Sequence, residues 1–200
     1  SKQGATINEV VENIDIGGPS MVRAAAKNFA SVLIVIDPND YEWISDRIHN
    51  NQMISFDERK SLAAKAFQHV ALYDTLVSSY LNPNETLPSE LTLAYRQKYT
   101  LRYGENPHQK AALYSKVQSN GGLSWATQVQ GKELSFNNIL DAEAAWNTVT
   151  DFHTDTVAII KHHNPCGLAS NKDQETAYTR AFEGDPVSAY GGIVAFNTMV

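Results

Sequence analysis

Cysteine is almost absent from this chain. Cys166 is the only one in 200 residues, so no internal disulfide framework exists and a reducing compartment is the simpler setting. Long apolar runs are missing too: nothing approaches the roughly 18–20 residues of a membrane span, and the opening SKQGATINEV has no signal-peptide core. Positive charge is scarce. A formal net charge of -6 argues against a protein that wraps nucleic acid, while leaving room for a local pocket that takes a small phosphate. Neither an internal repeat nor a low-complexity segment is found. What remains is a cytoplasmic globular protein, with no nucleic-acid or membrane partner expected and enough length for one or two domains. The chain starts at Ser1 without Met and reaches Val200 inside the strand-like GGIVAFNTMV, so it reads as a fragment.

The elements that are present alternate. Residues 13–29 begin with a short apolar piece, turn at Gly17 and Gly18, and continue as a helix with Pro19 at its first position and alanines 24–26 in its middle. SVLIVID, residues 31–37, is too apolar to have a wet face and is expected to be a buried strand, followed by a turn at Pro38 and an acidic helix over about 40–49. SFDE at 55–58 has the form of a capping box, ahead of a helix in which Leu62, Ala66, Val70, Val77 and Leu81 follow helical spacing. Two prolines and weak periodicity mark 82–94 as a linker, which places domains at 1–94 and 95–200. Extended pieces follow around YTLRYG and KAALYSK, then a Gly121-Gly122 turn, a helix over roughly 139–151, the strand TVAIIK, a helix over about 173–183, and a strand-like stretch interrupted by Gly191 and Gly192. The alternation predicts an α/β fold of layered type.

Four short stretches carry chemistry, each beside a plainer reading. The Gly17-Gly18 turn at a helix start is a suitable seat for an anion, though many helices begin this way without a ligand. Arg23 and Lys27, four apart, share one helix face, and Asp15 lies just before the turn; a solvated basic face explains the pair as well. In LRYGENPHQ, 101–109, Arg102 could clamp a phosphate or carboxylate with its planar fork, or be a surface arginine in a turn. KHHNPCG, 161–167, is the most informative, because loops at the C-terminal ends of buried strands are where layered α/β proteins keep their chemistry. A neighbouring ammonium favours the neutral form of a histidine, which can then accept a proton. Zinc is the rival. Adjacent strand residues such as His162 and His163 point to opposite faces, and the Cys166 that suggests P-C-x-x-C lacks its second thiolate because position 169 is Ala. Cys166 is read as a packing residue. DPVSAYGG, 185–192, would let backbone approach a ring or phosphate closely, and a bulge accounts for it equally.

Taken in order, IDIGG with RAAAKN, LRYGENPHQ, KHHNPCG and DPVSAYGG closely resemble the bifunctional purine-biosynthesis family that is both AICAR transformylase and IMP cyclohydrolase, from about residue 11 to the end. The resemblance implies a fold class: the C-terminal part of a methylglyoxal-synthase-like layered α/β domain in residues 1–94, then the start of a cytidine-deaminase-like α/β domain, without zinc, in 95–200. It implies de novo IMP synthesis, with formyl transfer from 10-formyltetrahydrofolate, a co-substrate, to AICAR, and closure of formyl-AICAR to IMP with loss of water. By motif, Lys27 resembles the cyclohydrolase acid/base residue, and Asp15 with Ile16 part of its nucleotide contact. Arg102, Tyr103 and Gly191 resemble contacts to the AICAR nucleotide, His162 the proton acceptor, and Lys161 its essential neighbour. His163 has no role and is expected to face away. Family transformylase sites are built across a dimer, so a homodimer is expected of the full-length protein. Two other readings stand beside this one: a zinc-free relative of nucleoside deaminases, and a nucleotide-binding or dimerisation module without catalysis.

Overall fold

The computed structural model describes residues 4–84, 86–117 and 121–199. Ser1 to Gln3 of the opening, Glu85 of the expected linker and Val200 of the expected last strand lie outside the described residues. The chain forms two compact units, Ser1–Ala94 and Tyr95–Val200.

The first unit is helical among its described residues: α1 (Ile7–Glu12), α2 (Gly17–Lys27), α3 (Tyr41–His49) and α4 (Phe56–Leu81). The capping box reads as the sequence predicts, with the Ser55 hydroxyl accepting from the Glu58 N–H and the Glu58 carboxylate accepting from the Ser55 N–H at 2.8 Å. α2 packs on α4 through Ala26, Ala63 and Ala66, whose small side chains permit close approach.

SVLIVID departs from expectation. It runs between helices with no strand partner among the described residues, so it is not a ladder strand. Its side chains still alternate: Ile34 and Ile36 pack against the Ala26, Ala63, Ala66 cluster, while Leu33 and Val35 pack against Ile44, Ile54 and Leu62. The run keeps the two-residue period because both of its faces are covered by apolar groups; what it lacks is a neighbouring backbone.

The second unit is mixed. β1 (Tyr95–Thr100) pairs antiparallel with β2 (Ala112–Lys116). A separate sheet has the order β4 (Asn164–Ser170), β3 (Thr156–Lys161), β5 (Ile193–Phe196), antiparallel throughout. α5 (Phe136–Thr150), α6 (Gln174–Gly184) and α7 (Pro186–Ala189) complete it.

The centre of the sheet is β3, in which Val157, Ala158, Ile159 and Ile160 are all buried. Val157 and Ile159 meet Ala177 and Ala181 of α6. By alternation Ala158 and Ile160 take the other face, and α5 packs on β3 and β5. Close approach of β4 to α6 requires Gly167, where an added Cβ would lie 1.7 Å from the Ala181 carbonyl oxygen. Pro165 is tolerated because β4 is an edge strand and its register slips beside Cys166, between Gly167 and Pro165. DPVSAYGG is less extended than the sequence suggests: Pro186–Ala189 is a helical turn capped by Asp185, and the strand is confined to Ile193–Phe196.

Carboxylates tie many of these ends together, and hydrogen bonds to the charged form hold them below their ordinary values. The Ser55 N–H does this for Glu58, Lys65 for Asp37, the Thr176 hydroxyl for Asp173 and the Ser188 hydroxyl for Asp185. A depressed folded value contributes stability that is complete above the unfolded values, 3.8 for Asp and 4.5 for Glu, and is lost as pH falls through the folded ones. The thermal midpoint is therefore expected to stay level from neutral pH to about pH 5 and to fall as pH drops below about 4.5. A midpoint that is unchanged across that acid range would contradict this account of the caps.

Candidate functional site

KHHNPCG is a hairpin. Lys161 at the end of β3 and Asn164 at the start of β4 are register partners, so His162 and His163 alone make the connection. Both have positive φ, 51° and 64°. Left-handed conformation at both central residues is the two-residue hairpin pattern that usually takes Asn-Gly, since a Cβ there costs about 1–2 kcal/mol per residue. The expected loop at the C-terminal end of a buried strand is thus a tight turn between antiparallel strands. Strand alternation, used above to separate the two histidines, does not govern them.

Three polar contacts hold the turn region. The Asn164 side-chain amide donates to the His162 carbonyl at 2.8 Å. The His163 N–H donates to Asp141 Oδ1 on α5 at 2.9 Å, and His163 Nε2 lies 3.7 Å from the same oxygen. Lys161 Nζ donates to the Tyr190 carbonyl at 2.9 Å. His163 is therefore engaged by α5, where the sequence suggested a residue without a role. Asp141 had no evident sequence signal, being one polar position in LDAEAAW; Tyr190 and Gly192 lie in the DPVSAYGG stretch singled out for close backbone approach, and Tyr190 acts through its backbone.

The Tyr190-Gly191-Gly192 bend sits beside this turn for two different reasons. Gly191, at φ 78°, needs its left-handed backbone, and an added Cβ there would meet nothing within 4 Å. Gly192 provides close approach, since a Cβ would lie 3.0 Å from the Ile160 carbonyl oxygen. The structure thus brings Lys161, His162 and the Gly191 bend to one end of β3.

Arg102 and Tyr103 form a second, pre-assembled pair. Arg102 Nη2 donates to the Tyr103 hydroxyl at 3.2 Å, and its guanidinium carbon stands 4.8 Å from the Tyr103 ring centroid. The Ser135 hydroxyl, and then Arg102, hold the Tyr103 phenol below its ordinary value. Backbone bonds fix the pair to the start of α5: the Arg102 N–H donates to the Leu134 carbonyl at 3.0 Å and the Phe136 N–H to the Tyr103 carbonyl at 3.1 Å. Asp141 lies five residues into the same helix, about 7.5 Å along its axis at 1.5 Å per residue. One helix therefore anchors both groups. Gln109 closes the intervening loop, with Gly104 N–H donating to its carbonyl at 2.8 Å.

The first-unit candidates are not brought together. Asp15 and Ile16 precede α2 while Lys27 is its last residue, which puts Ile16 and Lys27 about 16.5 Å apart along the axis at about 1.5 Å per residue. The expected glycine turn is corrected: Gly17 and Gly18 are the first two residues of α2 and Pro19 its third, and this helix start already holds an anionic group of its own, for Gly18 N–H donates to Asp15 Oδ1 at 2.9 Å. Arg23 is paired with Asp74 of α4, so the expected basic face reduces to Lys27, which is exposed. Ile16 is 73% exposed. Cys166 is half-buried against the α6 face of the sheet, in keeping with a packing role.

If the left-handed backbone at His163 is strained, His163→Gly should raise stability by about 0.5–1 kcal/mol, the relief of strain less the added chain entropy of glycine. Chemical denaturation checks this. A loss of stability would mean that the His163 ring contributes more than its backbone costs.

Comparison with known proteins now adds to this geometry. The family described as the AICARFT/IMPCHase bienzyme matches residues 25–200. Bifunctional purine biosynthesis protein PurH of Listeria innocua is 46% identical over 202 residues, that of Persephonella marina 48% over 205, and that of Desulfitobacterium hafniense 47% over 210. Each comparison takes in 100% of this chain and 40% of the relative, so the chain spans two fifths of the length of the curated relatives it matches. With the family match running through Lys27, Arg102, Tyr103, Lys161, His162 and Gly191, the chain belongs to the AICARFT/IMPCHase bienzyme family.

Proposed function

We propose that residues 95–200 supply part of an AICAR transformylase site and residues 1–94 part of an IMP cyclohydrolase, in a protein of purine biosynthesis. The observation that carries the reading is the junction of Lys161, His162 and the Gly191 bend at one end of β3, with Lys161 Nζ 2.9 Å from the Tyr190 carbonyl. His162 is exposed on a backbone that only surrounding contacts sustain, and such outliers concentrate where chemistry is done.

The 5-amino group of AICAR is a weak nucleophile, because its lone pair is delocalised into the ring carboxamide. A base must take its proton as it attacks the formyl carbon of 10-formyltetrahydrofolate, and His162 fills that role; the bond from N10 to the formyl carbon then breaks, and tetrahydrofolate leaves with a proton on N10. Lys161 stabilises the negative charge that develops on the formyl oxygen; to do so its ammonium turns one donor from the Tyr190 carbonyl towards the substrate. Arg102, held beside Tyr103, presents its remaining donors to the nucleotide phosphate. Gly191 admits the nucleotide close to the backbone. No zinc is needed: formyl transfer requires no activated water, and the position of a second deaminase-type thiolate is Ala169.

In the cyclohydrolase half, Lys27 manages protons as the carboxamide nitrogen of formyl-AICAR attacks the formyl carbon, a step helped by holding both groups in one molecule. Asp15 and Ile16 contribute to nucleotide binding from the opposite end of α2. A homodimer in a cytoplasmic setting completes the proposal. For the chain taken alone, its coverage of 40% of the relatives favours a second reading, a nucleotide-binding or dimerisation module that does not turn over.

Assays of both reactions in a polypeptide of the relatives' length separate the two sites. Lys161→Ala and His162→Ala are each expected to slow formyl transfer at least about 100-fold while leaving cyclisation within about twofold. Lys27→Ala should do the reverse. Equal loss of both activities in every variant would contradict two separate sites.

A further inference from the structure

We propose that Asp141 of α5 is a positioning residue, which fixes the direction of His162 by accepting the backbone N–H of His163. The proposal rests on the reading of His162 as the base. In a two-residue hairpin the chain leaves and re-enters the ladder at Lys161 and Asn164, and the N–H of the second turn residue has no ladder partner. Asp141 Oδ1 supplies that partner at 2.9 Å, from a carboxylate whose side chain is only 18% exposed.

The bond matters because the turn does not hold its shape by sequence preference. His162 and His163 both sit at positive φ, where residues with a Cβ are disfavoured, and a two-residue connection with other dihedrals would splay β3 from β4 and swing the His162 side chain away. Of the other two restraints, the Asn164 amide to the His162 carbonyl is local to the hairpin and moves with it, and the Lys161 bond to the Tyr190 carbonyl holds the end of β3 and not the two turn residues. Asp141 is external. It belongs to α5, whose first residue, Phe136, is bonded to Tyr103 and whose lead-in residue Leu134 is bonded to Arg102, so the segment that seats those nucleotide-binding candidates continues into the helix that sets the orientation of the base. A formyl donor and an amino group must meet a base within hydrogen-bond reach, and a displacement of about 1 Å can cost about 100-fold in rate.

Two variants separate positioning from charge and from stability. Asp141→Asn keeps a side-chain oxygen able to accept from His163, while Asp141→Ala removes it. In a polypeptide of the relatives' length, Asp141→Ala is expected to lower kcat for formyl transfer at least about tenfold with KM for AICAR within about twofold, and Asp141→Asn to recover most of the loss. Rates are taken well below the melting temperature of each variant, so a purely structural role would leave kcat unchanged. An unchanged kcat in Asp141→Ala, or an equal loss in Asp141→Asn, would overturn the proposal. His162→Ala in the same assay tests the underlying reading: if it leaves formyl transfer intact, that reading has failed. Hydrogen exchange at the His163 amide then reports on the Asp141 bond by itself; faster exchange in Asp141→Ala than in Asp141→Asn supports the bond, and equal rates overturn it.

Discussion

A strand with no wet face must be covered on both sides, and the second unit is organised around that constraint. β3 is buried from Thr156 to Ile160; α6 covers the face of Val157 and Ile159, and α5 packs on the sheet as well. Burial ends at Lys161, the last residue of the strand. Its ammonium reaches the Tyr190 carbonyl, and the bend that carries Tyr190 is seated on β3 by Gly192. The polar cluster is therefore a direct product of where the buried strand stops.

The same constraint explains the role of α5. A helix packed along a buried strand has one end near the strand exit, and side chains on that end can bond the exit turn. Asp141 does this through the His163 N–H. The first turn of α5, capped by Ser135 with Asn138, binds the backbone of Tyr103, and Leu134 just before it binds that of Arg102. Two motifs sixty residues apart in the sequence are thereby fixed to one rigid element, which is how a fold converts separated short stretches into one candidate site.

Elements set by local signals were legible in the sequence. The box at Ser55 and Glu58 and the helices over 40–49 and 173–183 follow from capping and periodicity alone, and lie where those signals put them. Elements that depend on neighbours were not. SVLIVID has the composition of a strand, yet pairing needs a second backbone, and none of the described residues supplies one. The hairpin at His162 and His163 escaped notice because its residues are not those that left-handed turns prefer, so nothing local announces it. Lys161, His162 and Gly191 could be chosen as candidates from their motifs, whereas Asp141 could not, because its importance comes from a bond twenty-two residues distant in the chain.

The central claim is that Arg102, Tyr103, His162 and Gly191 line one nucleotide-binding surface organised by α5. Amide NMR of this chain during titration with AICAR tests it most directly. The account predicts saturable shifts at these four residues and at His163, with Asp15 and Lys27 unmoved. Saturable shifts confined to α2, or scattered over residues remote from both ends of the α5 anchorage, would contradict it.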